Sequence, residues 1–179
     1  MNTENFKDTI KELKDNFLFQ ASLGSKELFH SNMIAWLLEQ ESVNGRLEAL
    51  QLFLKQFAGK ELPELDAQKQ AFEIQREQLN IDLVIKWQDQ NEWNMLFIEN
   101  KMKSIPTKRQ LDEYNGKIEK LDKGKRMLNG TEVTRIAECG ILLTPLPLYN
   151  NDILPKLWVN KTYEKDIIGF LESLANRQF

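Results

Sequence analysis

The sequence predicts an α/β fold in which helices cover a mixed four-stranded sheet. Residues 81–87 and 95–101 are two runs rich in β-branched, aromatic and long apolar side chains, and a polar stretch at 88–92 lies between them. A strand, a polar turn and a second strand indicate an antiparallel hairpin. Residues 139–145 are a short apolar run closed by a proline, which is typical of an inner strand in a sheet covered on both faces.

Apolar periodicity predicts helices before and after these strands. The helix over 26–39 is apolar around so much of its circumference that it should be buried on more than one side. Gly59 is expected to end the helix that precedes it, and Pro106 suits the first turn of the helix that follows it. The predicted helices span residues 3–20, 26–39, 46–58, 107–123 and 163–174.

A further strand is expected over 71–79, where apolar residues alternate loosely just before the hairpin. The basic segment 124–130 and the proline-containing segment 146–162 are expected to be loops. After the helix over 3–20, the predicted order is therefore helix, helix, three strands, helix, strand and helix. A three-stranded meander joined to a fourth strand through a helix gives a mixed sheet flanked by helices.

Length and composition are those of an ordinary folded domain. With 179 residues, 41% of them hydrophobic and 28% charged, one domain spanning 1–179 is expected. The sequence contains no apolar run close to the ~20 residues that a membrane-spanning helix needs. The first residues are polar and acidic, so no secretory signal is recognised, and Cys139 as the single cysteine excludes an internal disulfide. The cytoplasm is the expected compartment.

Charge is distributed unevenly along the chain. The formal net charge is −3, yet the segment 100–126 carries +5 and the rest of the chain −8. A basic segment of this kind is what contact with a nucleic-acid backbone requires. The alternative is a solvated helix face of mixed charge, which is a common reason for charged runs in soluble proteins.

Three charged residues meet at the open end of the predicted hairpin. If Gln90 and Asn91 form a two-residue turn, Asp82 lies opposite Glu99 with their Cβ atoms roughly 5 Å apart, and Lys101 shares the face of Glu99. Two opposed carboxylates destabilise a hairpin unless a cation lies between them. A divalent ion held by oxygen ligands, with a lysine beside it, is a constellation for metal-assisted hydrolysis. The alternative is an exposed hairpin end with a cross-strand ion pair.

Glu27 and His30 lie along one face of the predicted helix over 26–39. We expect Glu27 to approach the carboxylates from a helix that covers their face of the sheet, although complementing the helix dipole is an alternative role. His30 is given a supporting role as a hydrogen-bonded packing residue. Clustering should raise the pKa of at least one of Asp82, Glu99 and Glu27, and Lys101 should offset part of that rise.

The motifs along the chain together resemble the PD-(D/E)xK nuclease superfamily, and within it a bacterial group. The resemblance spans about residues 25–145. It is carried by the first core helix, the two carboxylate-bearing strands, the start of the next helix and the end of the fourth strand. These motifs read Glu27-Leu-Phe-His30-Ser31, Ile81-Asp82, Ile98-Glu99-Asn100-Lys101, Gln110-Leu111-x-x-Tyr114 and Leu142-Leu143-Thr144-Pro145.

The resemblance implies a restriction-endonuclease-like core of order αβββαβ and hydrolysis of phosphodiester bonds in nucleic acid, with DNA as the expected substrate. The implied cofactor is Mg²⁺ or Mn²⁺, and a homodimer is one implied assembly. A nuclease-like module that binds nucleic acid or a protein without cleaving is the alternative. The implied catalytic residues are Glu27, Asp82, Glu99, Lys101 and Gln110; the metal ligands are Asp82, Glu99 and the Asn100 carbonyl; the phosphate contacts are Lys103, Lys108 and Arg109.

Overall fold

The structure is a computed structural model that describes residues 28–40, 47–59, 72–89, 92–102, 106–122, 126–128 and 131–176. The helix predicted over 3–20 lies outside the described residues, and so do Glu27, Lys103 and the turn residues Gln90 and Asn91. None of the helices in these ranges is long and apolar enough to span a membrane.

In the described ranges four α-helices surround the sheet, at positions close to those that periodicity predicts. The first two, α1 and α2, precede the strands; α3 lies between strands, and α4 ends the described chain. Gly59 has a φ of +67° at the end of α2, a left-handed conformation that glycine adopts without a steric penalty. The bounds are α1 Phe29–Leu38, α2 Glu48–Ala58, α3 Lys108–Asp122 and α4 Ile168–Ala175.

The first three strands form the predicted antiparallel meander: β1 (Phe72–Gln78), β2 (Ile81–Asp89) and β3 (Glu92–Asn100). Asp89 pairs with Glu92 and Leu83 pairs with Ile98, which is the predicted hairpin register. The register follows from the pattern because a slip by one residue would turn every apolar side chain of β2 to the wrong face.

A strand longer than predicted, β5 (Thr131–Thr144), lies parallel to β3 after the α3 crossover. Its carboxyl-terminal half pairs in parallel with β6 (Trp158–Thr162), and its amino-terminal half pairs with the short β4 (Arg126–Leu128). The mixed sheet flanked by helices is therefore confirmed, with β6 as a fifth strand beside the predicted four and β4 as an extension.

The loop predictions for 124–130 and 146–162 were wrong where they cover strands. Residues 126–128 are β4, and the second segment contains a 3₁₀ turn, Asn151–Ile153, as well as β6. In β6 only Trp158 and Thr162 are buried, so the strand shows no regular alternation of apolar and polar residues. Both strands are short and form by pairing with β5, a contact that local patterns do not reveal.

Two apolar cores lie on opposite faces of the sheet. On one face α1, α2 and α4 pack against residues such as Leu83, Ile98 and Leu143. On the other face α3 packs through Leu111 and Ile118. The end of the β2–β3 hairpin opposite its turn therefore lies between helices that cover different faces of the sheet. Asp82, Glu99 and Lys101 lie at this end.

Gly140 of β5 provides a test of this packing. A Cβ at Gly140 would overlap the indole of Trp158, whereas a Cβ at Gly116 in α3 would meet no atom within 4 Å. We expect Gly140→Ala to lower the free energy of unfolding by about 1–3 kcal/mol through overpacking. The matched Gly116→Ala should raise it by about 0.5–1 kcal/mol because alanine favours the helix. Urea denaturation of both variants measures this, and equal midpoints would contradict the packing of Trp158 on Gly140.

Candidate active site

Asp82 and Glu99 lie at the end of the β2–β3 pairing, one residue beyond the last paired positions, Leu83 and Ile98. Asp82 Oδ2 accepts a hydrogen bond of 2.7 Å from the backbone N–H of Asn100. The Asp82 carboxylate thus takes the place of the backbone carbonyl that would accept this hydrogen bond if the β2–β3 ladder continued. Because the N–H and C=O of one strand residue point to the same side, the Asn100 carbonyl also points towards Asp82.

Glu99 is 2% exposed, and its two carboxylate oxygens have different surroundings. Oε1 lies 2.7 Å from Lys101 Nζ and accepts a hydrogen bond of 2.8 Å from the Tyr114 hydroxyl. Oε2 is buried and has no hydrogen-bond partner among the described residues. Two donors on Oε1 hold the carboxylate so that Oε2 is left for another ligand. A buried carboxylate oxygen without a partner is costly, which favours a site for a cation.

The electrostatics of the pair confirm the predicted pKa rise. Burial and, next, the charge of Glu99 raise the pKa of Asp82 to about 6. The hydrogen bond from Asn100 and the charge of Lys101 act in the opposite direction. The pKa of Tyr114 is also raised, by burial first and then by the charge of Glu99, so that its hydroxyl stays a donor.

The oxygen atoms at this site are suited to binding a divalent ion. Asp82, Glu99 and the Asn100 carbonyl carry oxygen atoms, the type of ligand atom that Mg²⁺ and Mn²⁺ prefer. Within the described ranges no group of three or more His, Cys, Asp or Glu residues is placed to hold a metal. The described part of the site therefore contributes two carboxylates, and the predicted third, Glu27, lies outside it.

A family model described as the PD-(D/E)XK nuclease superfamily matches residues 15–152. The chain belongs to this superfamily. A search of the curated proteins and a search of the solved structures gave no match. The matched range includes both strands that carry the carboxylates, the lysine and all of α3. Membership of the PD-(D/E)XK superfamily suggests a nuclease, and nucleases of this superfamily generally use divalent metals.

The three phosphate-side residues of the PD-(D/E)XK prediction that the structure describes lie on the first turn of α3. Gln110 Oε1 accepts from the Thr107 N–H at 3.0 Å, and the Gln110 N–H donates to Thr107 Oγ1 at 3.4 Å. This reciprocal pair is a capping box, so the structure places the Gln110 side chain at the helix start and does not join it to Lys101. Lys108 and Arg109 are exposed, and Arg109 lies 3.7 Å from Glu113.

The expectation that the first core helix covers the carboxylates' face needs correction. Helix α1 packs on the opposite face, with Ile34, Ala35 and Leu38 in that core, and α3 covers the face from which Tyr114 reaches Glu99. The first turn of α1 still reaches the site's edge, because the His30 ring meets the Tyr163 ring with centroids 5.2 Å apart. The burial of His30 lowers its pKa, which keeps the ring neutral at pH 7.

Sequence reasoning gave no role to Tyr114 or Tyr163. Tyr114 belongs to the Gln110-Leu111-x-x-Tyr114 motif, and its helical spacing from Leu111 and Ile118 is the signal that it lies on the buried stripe of α3. Tyr163 begins a π-helical turn, Tyr163–Ile167, that joins β6 to α4. Burial, followed by the charge of Asp82, raises its pKa. Nothing near it in sequence points to Asp82, which precedes it by about 80 residues.

Proposed function

We propose that the protein is a Mg²⁺- or Mn²⁺-dependent nuclease that hydrolyses phosphodiester bonds, with DNA as its substrate. The observation that carries the proposal is the Glu99 carboxylate. Its Oε1 is held by Lys101 and Tyr114, and its Oε2 is buried beside Asp82 with no hydrogen-bond partner among the described residues. Superfamily membership supports the same activity.

In this proposal Asp82, Glu99 and the Asn100 carbonyl would hold the ion. When bound, a divalent ion would polarise the phosphoryl oxygen and make water a better nucleophile. Lys101 orients the attacking water or helps to deprotonate it, and its charge stabilises the negative charge that develops on the phosphoryl group. Glu27 completes the ligand set directly or through water, and Gln110 contacts the scissile phosphate after leaving its capping position.

Tyr114 would act through Glu99. Its hydroxyl donates to Oε1, the oxygen that Lys101 also contacts, and so fixes the rotation of the carboxylate. Partners of this kind raise metal affinity by holding a ligand in the orientation that binding requires. Tyr114 is therefore a positioning residue in the proposed site.

Substrate binding would use the basic first turn of α3. Lys108 and Arg109 are exposed there, and Lys103 precedes the helix. The ion pair of Arg109 with Glu113 is long and solvent-exposed, at 3.7 Å with side chains 87% and 61% exposed. Such a pair contributes little stability and leaves Arg109 free to contact a phosphate.

The direct test is nicking of supercoiled plasmid by purified protein. We expect nicked and linear product with Mg²⁺ or Mn²⁺ and none with EDTA. Glu99→Gln, purified in the same way, should give none under either condition, since the amide keeps the shape of the side chain but cannot supply the anionic oxygen. An RNA substrate of matched length tests the choice of DNA.

Equal nicking by Glu99→Gln would identify a contaminant and contradict the proposal. Binding of nucleic acid by the wild type without any cleavage would favour the non-catalytic module instead.

A further inference from the structure

The two-residue turn between β1 and β2 contains an unfavourable residue for its conformation. Gln78 pairs with Ile81, and the two residues between them, Leu79 and Asn80, have φ of +59° and +61°. Positive φ at both positions of a two-residue hairpin loop defines a type I′ turn, which favours asparagine and glycine. In leucine this left-handed conformation brings Cβ too close to a carbonyl oxygen, and the Leu79 side chain is 37% exposed. Contacts from elsewhere in the fold must therefore help to hold the turn.

Lys117 of α3 supplies such a contact. Its Nζ donates a hydrogen bond of 3.0 Å to the Leu79 carbonyl. The same Nζ lies 5.4 Å from the centroid of the Tyr114 ring, within the range of a cation–π interaction. Tyr114 lies one helical turn earlier on α3, and its hydroxyl donates to Glu99 Oε1 at 2.8 Å. One ammonium group thus contacts both the β1–β2 turn and the tyrosine that holds Glu99.

The β1–β2 turn leads directly into Asp82. Leu79 and Asp82 are three residues apart in the sequence, so their Cα atoms lie within about 11 Å of each other. Ile81, between them, is buried in the core that α3 covers. Apolar packing is non-directional, so it does not fix the orientation of the turn as the hydrogen bond from Lys117 does. A change in the turn would therefore move Asp82.

We propose that Lys117 is a positioning residue that sets the separation of the Asp82 and Glu99 carboxylates. It acts on Asp82 through the β1–β2 turn and on Glu99 through Tyr114. This inference rests on the metal site of the proposed function. Mg²⁺ binds oxygen ligands at about 2.0–2.1 Å and demands nearly ideal octahedral geometry. The separation of the two carboxylates consequently controls the affinity for the ion.

The first test is Lys117→Met, which keeps an unbranched apolar stem and removes the charge and the donor. Isothermal titration with Mn²⁺ measures binding without cleavage. We expect the Kd for Mn²⁺ to rise about tenfold, a usual effect of removing a group that orients a metal ligand. Charge alone predicts the opposite, because the variant loses a cation near the carboxylates. An unchanged or lower Kd would therefore overturn the proposal.

Two further lysine variants accompany this measurement. Lys117→Arg keeps a donor for the turn and a cation over the Tyr114 ring, so it should bind Mn²⁺ nearly as the wild type does. Lys156→Met is the matched control, since Lys156 is an exposed lysine of the turn before β6, and it should leave the Kd unchanged.

The second test needs no metal. The Asn100 N–H donates to Asp82 Oδ2 at 2.7 Å, so its hydrogen exchange reports the position of the Asp82 carboxylate. In EDTA we expect Lys117→Met to exchange this N–H about tenfold faster, the effect of losing one hydrogen bond to a charged group. The N–H of Phe97, in the interior of β3, should keep its wild-type rate. Equal acceleration of both, with a lower melting temperature, would show a general structural role and overturn the proposal.

A second substitution tests whether Lys117 acts through the turn. Asparagine adopts the left-handed conformation more readily than leucine, so Leu79→Asn should hold the turn without the lysine. Introduced into Lys117→Met, it should restore most of the affinity for Mn²⁺ and slow the exchange of the Asn100 N–H again. If the double variant recovers neither, Lys117 does not act through the turn and the proposal fails.

These measurements separate the positioning role from the proposed activity. If the wild type binds Mn²⁺ but nicks no plasmid, while Lys117→Met binds more weakly, the activity fails and the positioning role stands. If the wild type nicks plasmid and Lys117→Met binds Mn²⁺ as the wild type does, the positioning role fails and the activity stands. If the wild type binds no Mn²⁺, the exchange of the Asn100 N–H still decides whether Lys117 positions Asp82.

Discussion

Lys101→Ala should lower the rate of DNA cleavage by at least about a hundredfold, the usual effect of removing a proton-transfer group, while DNA affinity stays nearly unchanged. The Nζ of Lys101 lies 2.7 Å from the Oε1 of Glu99, so its charge is next to a proposed metal ligand. Its removal takes a positive charge away from the carboxylates and should not weaken binding of a cation. Single-turnover cleavage and anisotropy measurements separate the two effects.

Two sets of variants control this experiment. Lys156→Ala removes an exposed lysine of the turn before β6 and should cleave as the wild type does. Charge reversal at Lys108 and Arg109 should have the opposite effect to Lys101→Ala, with weaker and less salt-dependent binding but a similar rate once DNA is bound. Cleavage by Lys101→Ala at the wild-type rate would refute the proposed role of the lysine and favour the binding module.

Mn²⁺ should raise the melting temperature of the wild type by several degrees and that of Asp82→Asn much less. A ligand at a hundred times its Kd stabilises the folded state by about 2.7 kcal/mol, and each kcal/mol corresponds to roughly 2–4 °C in a chain of this size. Asparagine can still accept the hydrogen bond from the Asn100 N–H but loses the anionic ligand. Asp152→Asn, at an exposed position far along the chain, is the matched control. Equal shifts in wild type and Asp82→Asn would place the ion elsewhere.

The same variant gives a test without metal. The folded-state pKa of Asp82 is raised to about 6, above the ordinary aspartate value of about 3.9. Ionised Asp82 therefore costs stability, and the cost is absent below about pH 4, grows as the pH rises and is complete above the folded-state pKa. In EDTA, Asp82→Asn should be more stable than the wild type at pH 8 and lose this advantage near pH 4. Parallel stability curves from pH 4 to pH 8 would contradict the pKa shift.

Local patterns were sufficient to predict the central hairpin and its register. The apolar run of β2 and the polar residues before Glu92 allow one pairing that keeps the apolar side chains buried, and the structure has that pairing. Asp82 and Glu99 lie at its open end for the same reason. The helix end at Gly59 was also predictable, because a left-handed glycine is a local signal. The start of α3 was predicted only approximately: Pro106, expected in its first turn, precedes the capping residue Thr107, and the helix begins at Lys108.

The tertiary structure alone decided which helix covers which face and which distant groups reach the site. Helix α1 packs opposite the carboxylates although its motif suggested the nearer face, since an almost uniformly apolar helix does not specify its partner surface. Strand β6 exists through its pairing with β5, and it brings Tyr163 to Asp82 and Asn100. The sequence itself determined the family, the hairpin and its carboxylates, because these depend on residues close along the chain. Contacts across about 60–80 residues depend on chain packing, which leaves no periodic signal in the sequence.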